Sequence, residues 1–157
     1  MPASCIEPLQ AGDLAAVVAI EAQNPACWSF LQLAAELQRS GGWQHVVRLA
    51  DGRIAGYICG FVVSDEAEIL KLAVDQEVRR QGLGEQLLAH ALAGLAAQGI
   101  GRVFLELRAS NRPARRLYEK FGFEQSAVRK GYYQNPTEDA LLMKKIVTRG
   151  EVLEEHP

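Results

Sequence analysis

The 157 residues are 48% hydrophobic and 23% charged, values of an ordinary globular chain that fits one domain burying about 70% of its unfolded surface. They exclude a disordered or fibrous chain, and 17 basic against 19 acidic residues, a net charge of −2, leave no electrostatic footprint for nucleic acid. No apolar run reaches the about 18 residues of a membrane span, and Met1-Pro2-Ala3-Ser4-Cys5 lacks the basic start and apolar stretch of a signal peptide, so a cytoplasmic protein without membrane contact is expected.

In chain order, Asp13 is placed to cap a helix with Leu14, Val17, Val18 and Ile20 at helical spacing, ending before Pro25. Ser29 starts a second helix, with Leu31, Leu33, Ala34 and Leu37 as its apolar stripe and Gly41-Gly42 as its stop. The pattern then changes to strands at His45–Leu49 and Ile54–Val63, joined by the hairpin signal Asp51-Gly52. Glu68–Val74 reads as a third, more central strand. A long helix bearing Leu87, Leu88, Ala91, Leu92 and Leu95 follows, capped by Gly99. Arg102–Arg108 is again a strand, with Val103, Leu105 and Leu107 on one face and Phe104 and Glu106 on the other. Asn111 is placed to cap a helix from Arg112, with Pro113 in its first turn and Gly122 at its close. A further strand near Phe123–Arg129, the polar turn Gln134–Asp139 and a last strand Ala140–Val147 complete the domain over residues 1–147, and Thr148–Pro157 reads as a loose tail.

Cys5, Cys27 and Cys59 are an odd, widely spaced set that reads as reduced thiols, Cys59 in an alternating apolar run as a packing residue. His45, His90 and His156 have no ligand spacing with them, so no metal is expected.

The strongest local signal is Leu72-Ala73-Val74-Asp75 followed by Arg79-Arg80-Gln81-Gly82-Leu83-Gly84, a strand joined to a helix by a short glycine-bearing turn. Glycines let a backbone approach anionic oxygens, and the helix that follows turns unpaired amides and its positive dipole end toward the same charge. Arg79 or Arg80 adds neutralising charge. An ordinary loop with solvated arginines is the competing reading. The segment is not a Walker loop, since no Gly-Lys-Ser/Thr follows.

Arg79-x-x-Gly82-x-Gly84 resembles the Gln/Arg-x-x-Gly-x-Gly/Ala acetyl-CoA loop of GNAT acetyltransferases, and the element order over about residues 5–147 is similar to theirs. The likeness is closer to the RimI-type ribosomal-protein alanine N-acetyltransferases. It rests on Leu72-Ala73-Val74-Asp75, Arg80-Gln81-Gly82-Leu83-Gly84, Leu105-Glu106-Leu107-Arg108-Ala109-Ser110-Asn111, Leu117-Tyr118-Glu119, Gly122-Phe123, Tyr132-Tyr133 and Glu138-Asp139-Ala140. The resemblance implies an α/β (α+β) GNAT fold, a mixed central sheet with splayed parallel strands flanked by helices. It implies acetyl-CoA as cosubstrate, the main chain at Leu72, Ala73 and Val74 on the pantetheine arm, and Arg79, Arg80, Gln81, Gly82, Leu83 and Gly84 around the pyrophosphate. Asn111 either reaches the pantetheine or is a helix cap and nothing more.

A terminal amine is mostly protonated at neutral pH and must lose a proton before it attacks a thioester. Glu106, on the face opposite the apolar positions of its strand, is the candidate base, with a partly desolvated carboxylate of raised pKa; a salt-bridged strand residue is the alternative. Tyr118, two turns beyond Asn111, is the candidate acid for the leaving thiolate and is placed near the cofactor sulfur; otherwise it is a core tyrosine. Trp28-Ser29 resembles a Trp-Ser pair on the substrate side of RimI-type enzymes, although Cys27 stands where proline is usual. Tyr132 and Tyr133 would line a peptide groove or serve as packing. The implied acceptor is the N-terminal α-amine of a protein, a ribosomal small-subunit protein above others. A GNAT acting on a small amine and a non-catalytic acyl-CoA sensor are the competing functions, and a pure binder has no use for both Glu106 and Tyr118.

Overall fold

The computed structural model describes residues 4–24, 28–134 and 136–147. Its strands are β1 (Ser4–Pro8), β2 (Gly42–Leu49), β3 (Ile54–Val63), β4 (Glu66–Val74), β5 (Arg102–Arg108), β6 (Glu124–Tyr133) and β7 (Glu138–Ile146). Its helices are α1 (Leu14–Glu21), α2 (Phe30–Gln38), α3 (Leu83–Ala97) and α4 (Arg112–Lys120). The strands form one seven-stranded mixed sheet in the order β1-β2-β3-β4-β5-β7-β6. The chain divides into two compact units, one running to Val62 and resuming over Leu70–Leu92, the other taking Val63–Ile69 and the chain from Ala93 onward.

In the first unit, β2 and β3 pair antiparallel across the Asp51-Gly52 turn, where Gly52 has φ +91°, a conformation only glycine adopts without cost. Leu9, Leu14, Val17, Ile20, Leu33, Val46, Ile54, Tyr57 and Cys59 form its core. Gly56 of β3 lies so close to β4 that a Cβ there would sit 2.8 Å from the Ala73 carbonyl oxygen. The strand that the sequence marks for cofactor is thus backed by a position without room for a side chain. Ser29 caps α2 as expected, accepting from the Gln32 amide at 3.2 Å while the Gln32 side chain accepts from the Ser29 amide at 2.7 Å, a reciprocal capping box.

Two expectations need correction here. β1, absent from the sequence reading, pairs antiparallel with β2 from Ser4↔Leu49 to Pro8↔His45. It is a short edge strand ending in proline with no buried residue, so it leaves no alternating signature. Asp13 occupies the residue before α1 but does not cap it. Its carboxylate instead accepts from the Gln10 amide at 2.9 Å and from Arg48 at 3.0 Å.

In the second unit, β4 starts parallel to β5, from Glu66↔Arg102 to Ile69↔Leu105, and β7 runs antiparallel to β5 along its whole length. The two-residue period of β5 is visible in its burial, with Val103, Leu105 and Leu107 buried and Phe104 and Glu106 half-buried. Asn111 caps α4, its side-chain oxygen accepting from the Ala114 amide at 3.3 Å. The strand expected near Phe123–Arg129 is β6, which reaches Tyr133 and pairs antiparallel with β7. Cys27 and the tail Thr148–Pro157 lie outside the described residues.

Candidate active site

The first unit carries the strand–loop–helix segment. β4 ends at Val74, a short 3-10 turn at Gln76–Val78 follows, and α3 opens at Leu83. Asp75 caps the short turn by accepting from the Glu77 amide at 3.0 Å, and Arg79 Nε donates back to the Val74 carbonyl at 3.2 Å. Two residues of the loop are left-handed, Arg80 at φ +67° and Gly82 at φ +78°. For an arginine this conformation costs roughly 1–2 kcal/mol, a strain that concentrates where backbone groups are aimed at a ligand. The amides of Leu83 and Gly84 belong to the first turn of α3, where helix amides point outward from the N-terminus. Arg79, Arg80 and Gly82 are exposed. An exposed turn with two arginines, a glycine and a helix N-terminus is chemically suited to a pyrophosphate, so the residues present fit acetyl-CoA.

Trp28 and Ser29 also belong to this unit. Trp28 is half-buried; its amide donates to Glu21 Oε2 at 2.8 Å, and Lys71 Nζ lies 4.9 Å from its ring centroid. Glu21 is the residue that sequence reasoning missed. It is fully buried at the end of α1 and also accepts from the Tyr57 hydroxyl at 2.6 Å and from Lys71 Nζ at 2.9 Å.

The second unit carries the candidate acid and base. Glu106 has 28% of its side chain exposed, and Arg129 Nη1 stands 3.7 Å from its Oε1. The sequence left a partly desolvated base and a salt-bridged strand residue both open for this carboxylate; the structure sets a guanidinium beside it. Strand order explains why the pair was not legible. Ala140 of β7 is the register partner of Arg108 on β5 and of Arg129 on β6, so Arg129 reaches Glu106 from the far side of β7.

Arg129 also lies 5.3 Å from the Tyr132 ring centroid, Tyr132 and Tyr133 meet edge to face at 5.2 Å, and Arg108 lies 4.5 Å from the Tyr133 centroid. Glu106, Arg129, Tyr132, Tyr133 and Arg108 therefore form one linked group. Burial first, then the Glu106 charge, pushes the Tyr133 hydroxyl pKa up. Arg108 further binds Glu138 at 3.2 Å and the carbonyls of Gln134 and Pro136 at 3.2 and 3.3 Å. Glu138 accepts from the Ser110 amide and hydroxyl at 3.0 Å each. These bonds hold its carboxyl below the ordinary range against the opposing effect of desolvation, the largest single influence. The turn after Tyr133 is thus clamped to the end of β5. Tyr118 is buried on α4, edge to face with Phe123 at 5.4 Å, and burial raises its phenol above the ordinary tyrosine range.

The acetyltransferase (GNAT) family model matches residues 15–123, a stretch that contains the loop, Glu106, Asn111 and Tyr118. This chain belongs to the GNAT acetyltransferase family. Its GNAT relatives include a Bacillus subtilis (strain 168) protein provisionally named ribosomal protein bS18-alanine N-acetyltransferase, 35% identical over 141 residues, 89% of this chain and 93% of that one. The ribosomal protein bS18-alanine N-acetyltransferase of Escherichia coli (strain K12) is 41% identical over 95 residues, 59% of this chain and 64% of that one. The crystal structure of the Escherichia coli ribosomal-protein-S18-alanine N-acetyltransferase superposes with a TM-score of 0.86 at 34% identity, covering 93% of this chain and 95% of that one. The GNAT fold expected from the element order is the fold observed.

Among the described residues no group of histidine, cysteine and carboxylate side chains could hold a metal ion, and no helix is long and apolar enough to cross a membrane. Cys59 is buried in the GNAT core with its thiol pushed up to about 12, chiefly by burial, which suits packing and not nucleophilic attack.

Proposed function

We propose that this chain transfers the acetyl group of acetyl-CoA directly to the α-amine of a protein N-terminus, and that the acceptor is a ribosomal small-subunit protein in the cytoplasm. One observation carries the reading: the half-exposed Glu106 carboxylate lies in the group that holds Tyr132 and Tyr133. An extended peptide offers such a surface a cationic amine for the carboxylate and area for the rings. The names of the Bacillus subtilis and Escherichia coli relatives support the same acceptor.

In this reading the amides of Gln81, Gly82, Leu83 and Gly84, with Arg79 and Arg80, hold the pyrophosphate, and the main chain of Leu72, Ala73 and Val74 lies along the pantetheine arm. Bound acetyl-CoA supplies the acetyl group activated as a thioester. Glu106 accepts the proton of the acceptor ammonium, directly or through one water, freeing the nitrogen lone pair. Tyr118 supplies a proton to the departing sulfur; its raised pKa keeps the phenol in the protonated form that this role needs. Asn111 works as the helix cap that fixes the start of α4 and so the direction of Tyr118. Trp28 and Ser29 face the acceptor.

Steady-state rates with three acceptors test the assignment: a peptide with a free α-amine, a lysine peptide with a blocked N-terminus, and a polyamine. The first is expected to dominate. An ε-amine, with a pKa of about 10.4 against about 8 for an α-amine, is the harder to deprotonate, and equal turnover of the blocked lysine peptide or the polyamine overturns the assignment.

A further inference from the structure

Glu21 lies far from the expected chemistry in sequence and carries no motif, yet it is the best-connected buried carboxylate of the first unit. Its side chain is 1% exposed, against 22% for Lys71, whose ammonium neutralises it at 2.9 Å. Tyr57 donates a hydroxyl proton at 2.6 Å, and the third donor is the main-chain amide of Trp28 at 2.8 Å. A buried ion pair is not a cheap way to stabilise a core, since apolar residues of the same volume commonly do as well. What it does supply is direction, because a carboxylate desolvated to this degree must keep its donors in place.

The donor whose position it fixes is telling. Trp28 immediately precedes Ser29, whose reciprocal capping box opens α2, so the bond to Glu21 ties the start of α2 to the end of α1. The same Lys71 that neutralises Glu21 stands over the Trp28 indole at 4.9 Å, a distance at which the cation is attracted to the ring face. Main chain and ring of Trp28 are therefore held by one cluster. The Trp28 ring also packs against the first-unit core, whereas Phe30 and Leu31, the side chains after Ser29, are exposed and add no packing of their own to the start of α2.

We infer that Glu21 is a positioning residue for the acceptor: through the Trp28 amide, and through Lys71 over the Trp28 ring, it sets the wall against which the amine-bearing substrate docks. This rests on the proposed placement of Trp28 on the acceptor side. It assigns Glu21 no proton transfer and no contact with acetyl-CoA.

The test uses the full chain and separates KM from kcat. Glu21→Gln removes the charge at nearly constant volume, and Glu21→Gln with Lys71→Met removes both charges, so that neither is left uncompensated. Each is expected to raise KM for the acceptor about tenfold, the equivalent of one lost anchoring interaction, with kcat and KM for acetyl-CoA within about twofold of the parent. Combining Glu21→Gln with Trp28→Leu is expected to raise the acceptor KM no further than Trp28→Leu alone, because both act through one side chain. An unchanged acceptor KM in either Glu21 variant overturns the inference. So do additive effects with Trp28→Leu, a parallel change in both KM values, or failure of both Glu21 variants to fold, which would assign the carboxylate to folding alone. The parent's own preference among acceptors tests the proposed function separately, since the Glu21 effect is read with whichever amine the parent turns over best.

Discussion

Burial keeps the Tyr118 phenol protonated beyond the ordinary tyrosine range, and this fixes the sign of a pH prediction. A raised pKa shifts the loss of the acid form to higher pH, so a basic limb in kcat below about pH 10 does not belong to Tyr118. Glu106→Gln and Tyr118→Phe are each expected to lower kcat by about 10²–10⁴-fold, the usual contribution of one general base or acid, while CoA binding measured by titration calorimetry stays near the parent value. Near-parent kcat in both, with chemistry shown to be rate-limiting, contradicts the roles. The placement of Glu106 on a strand and of Tyr118 on a helix was legible because the alternation of β5 and the cap of α4 mark those elements. Glu21 and Arg129 were not. Glu21 looks like the polar last residue of an otherwise apolar helix, and its burial depends on Tyr57 and Lys71, which only the folded chain brings to it. Arg129 looks like a solvated edge-strand cation, and its partner is two strands away in the sheet.

At the scale of elements, the Arg79–Gly84 loop sets two effects of one residue against each other. Arg80 is left-handed, so Arg80→Gly relieves roughly 1–2 kcal/mol of strain and gives back roughly 0.5–1 kcal/mol through the freer unfolded chain. The variant is expected to be more stable by about 0.5 kcal/mol in urea unfolding and to bind CoA more weakly through the lost positive charge. A variant that gains stability and keeps its CoA affinity removes Arg80 from the pyrophosphate site. Gly82→Asp is the stronger test of the loop, since it adds both a side chain at φ +78° and a negative charge; unchanged CoA affinity in the folded variant excludes the loop. The long elements, α3, β5 and α4, were readable because period and caps agree, as the Asn111 cap and the alternating burial of β5 illustrate. β1 escaped because a short edge strand with a single pairing partner needs no buried alternation. The length of β6 escaped because its residues before Gly131 are exposed, so no apolar period marks it.

At the scale of the whole molecule, composition pointed to a globular protein, and the ordered set of motifs selected the GNAT family, which the match over residues 15–123 establishes. The acceptor is a finer matter, because one fold hosts many acceptors and the proposed reading assigns the choice to Trp28, Tyr132 and Tyr133. The most direct measurement offers one peptide bearing both a free N-terminal alanine and an internal lysine, incubated with the enzyme and isotopically labelled acetyl-CoA, with the label located by fragmentation mass spectrometry. The account predicts a single label on the α-amine of the alanine, formed far more slowly by Glu106→Gln. Label on the lysine side chain, or equal labelling of both amines, contradicts it.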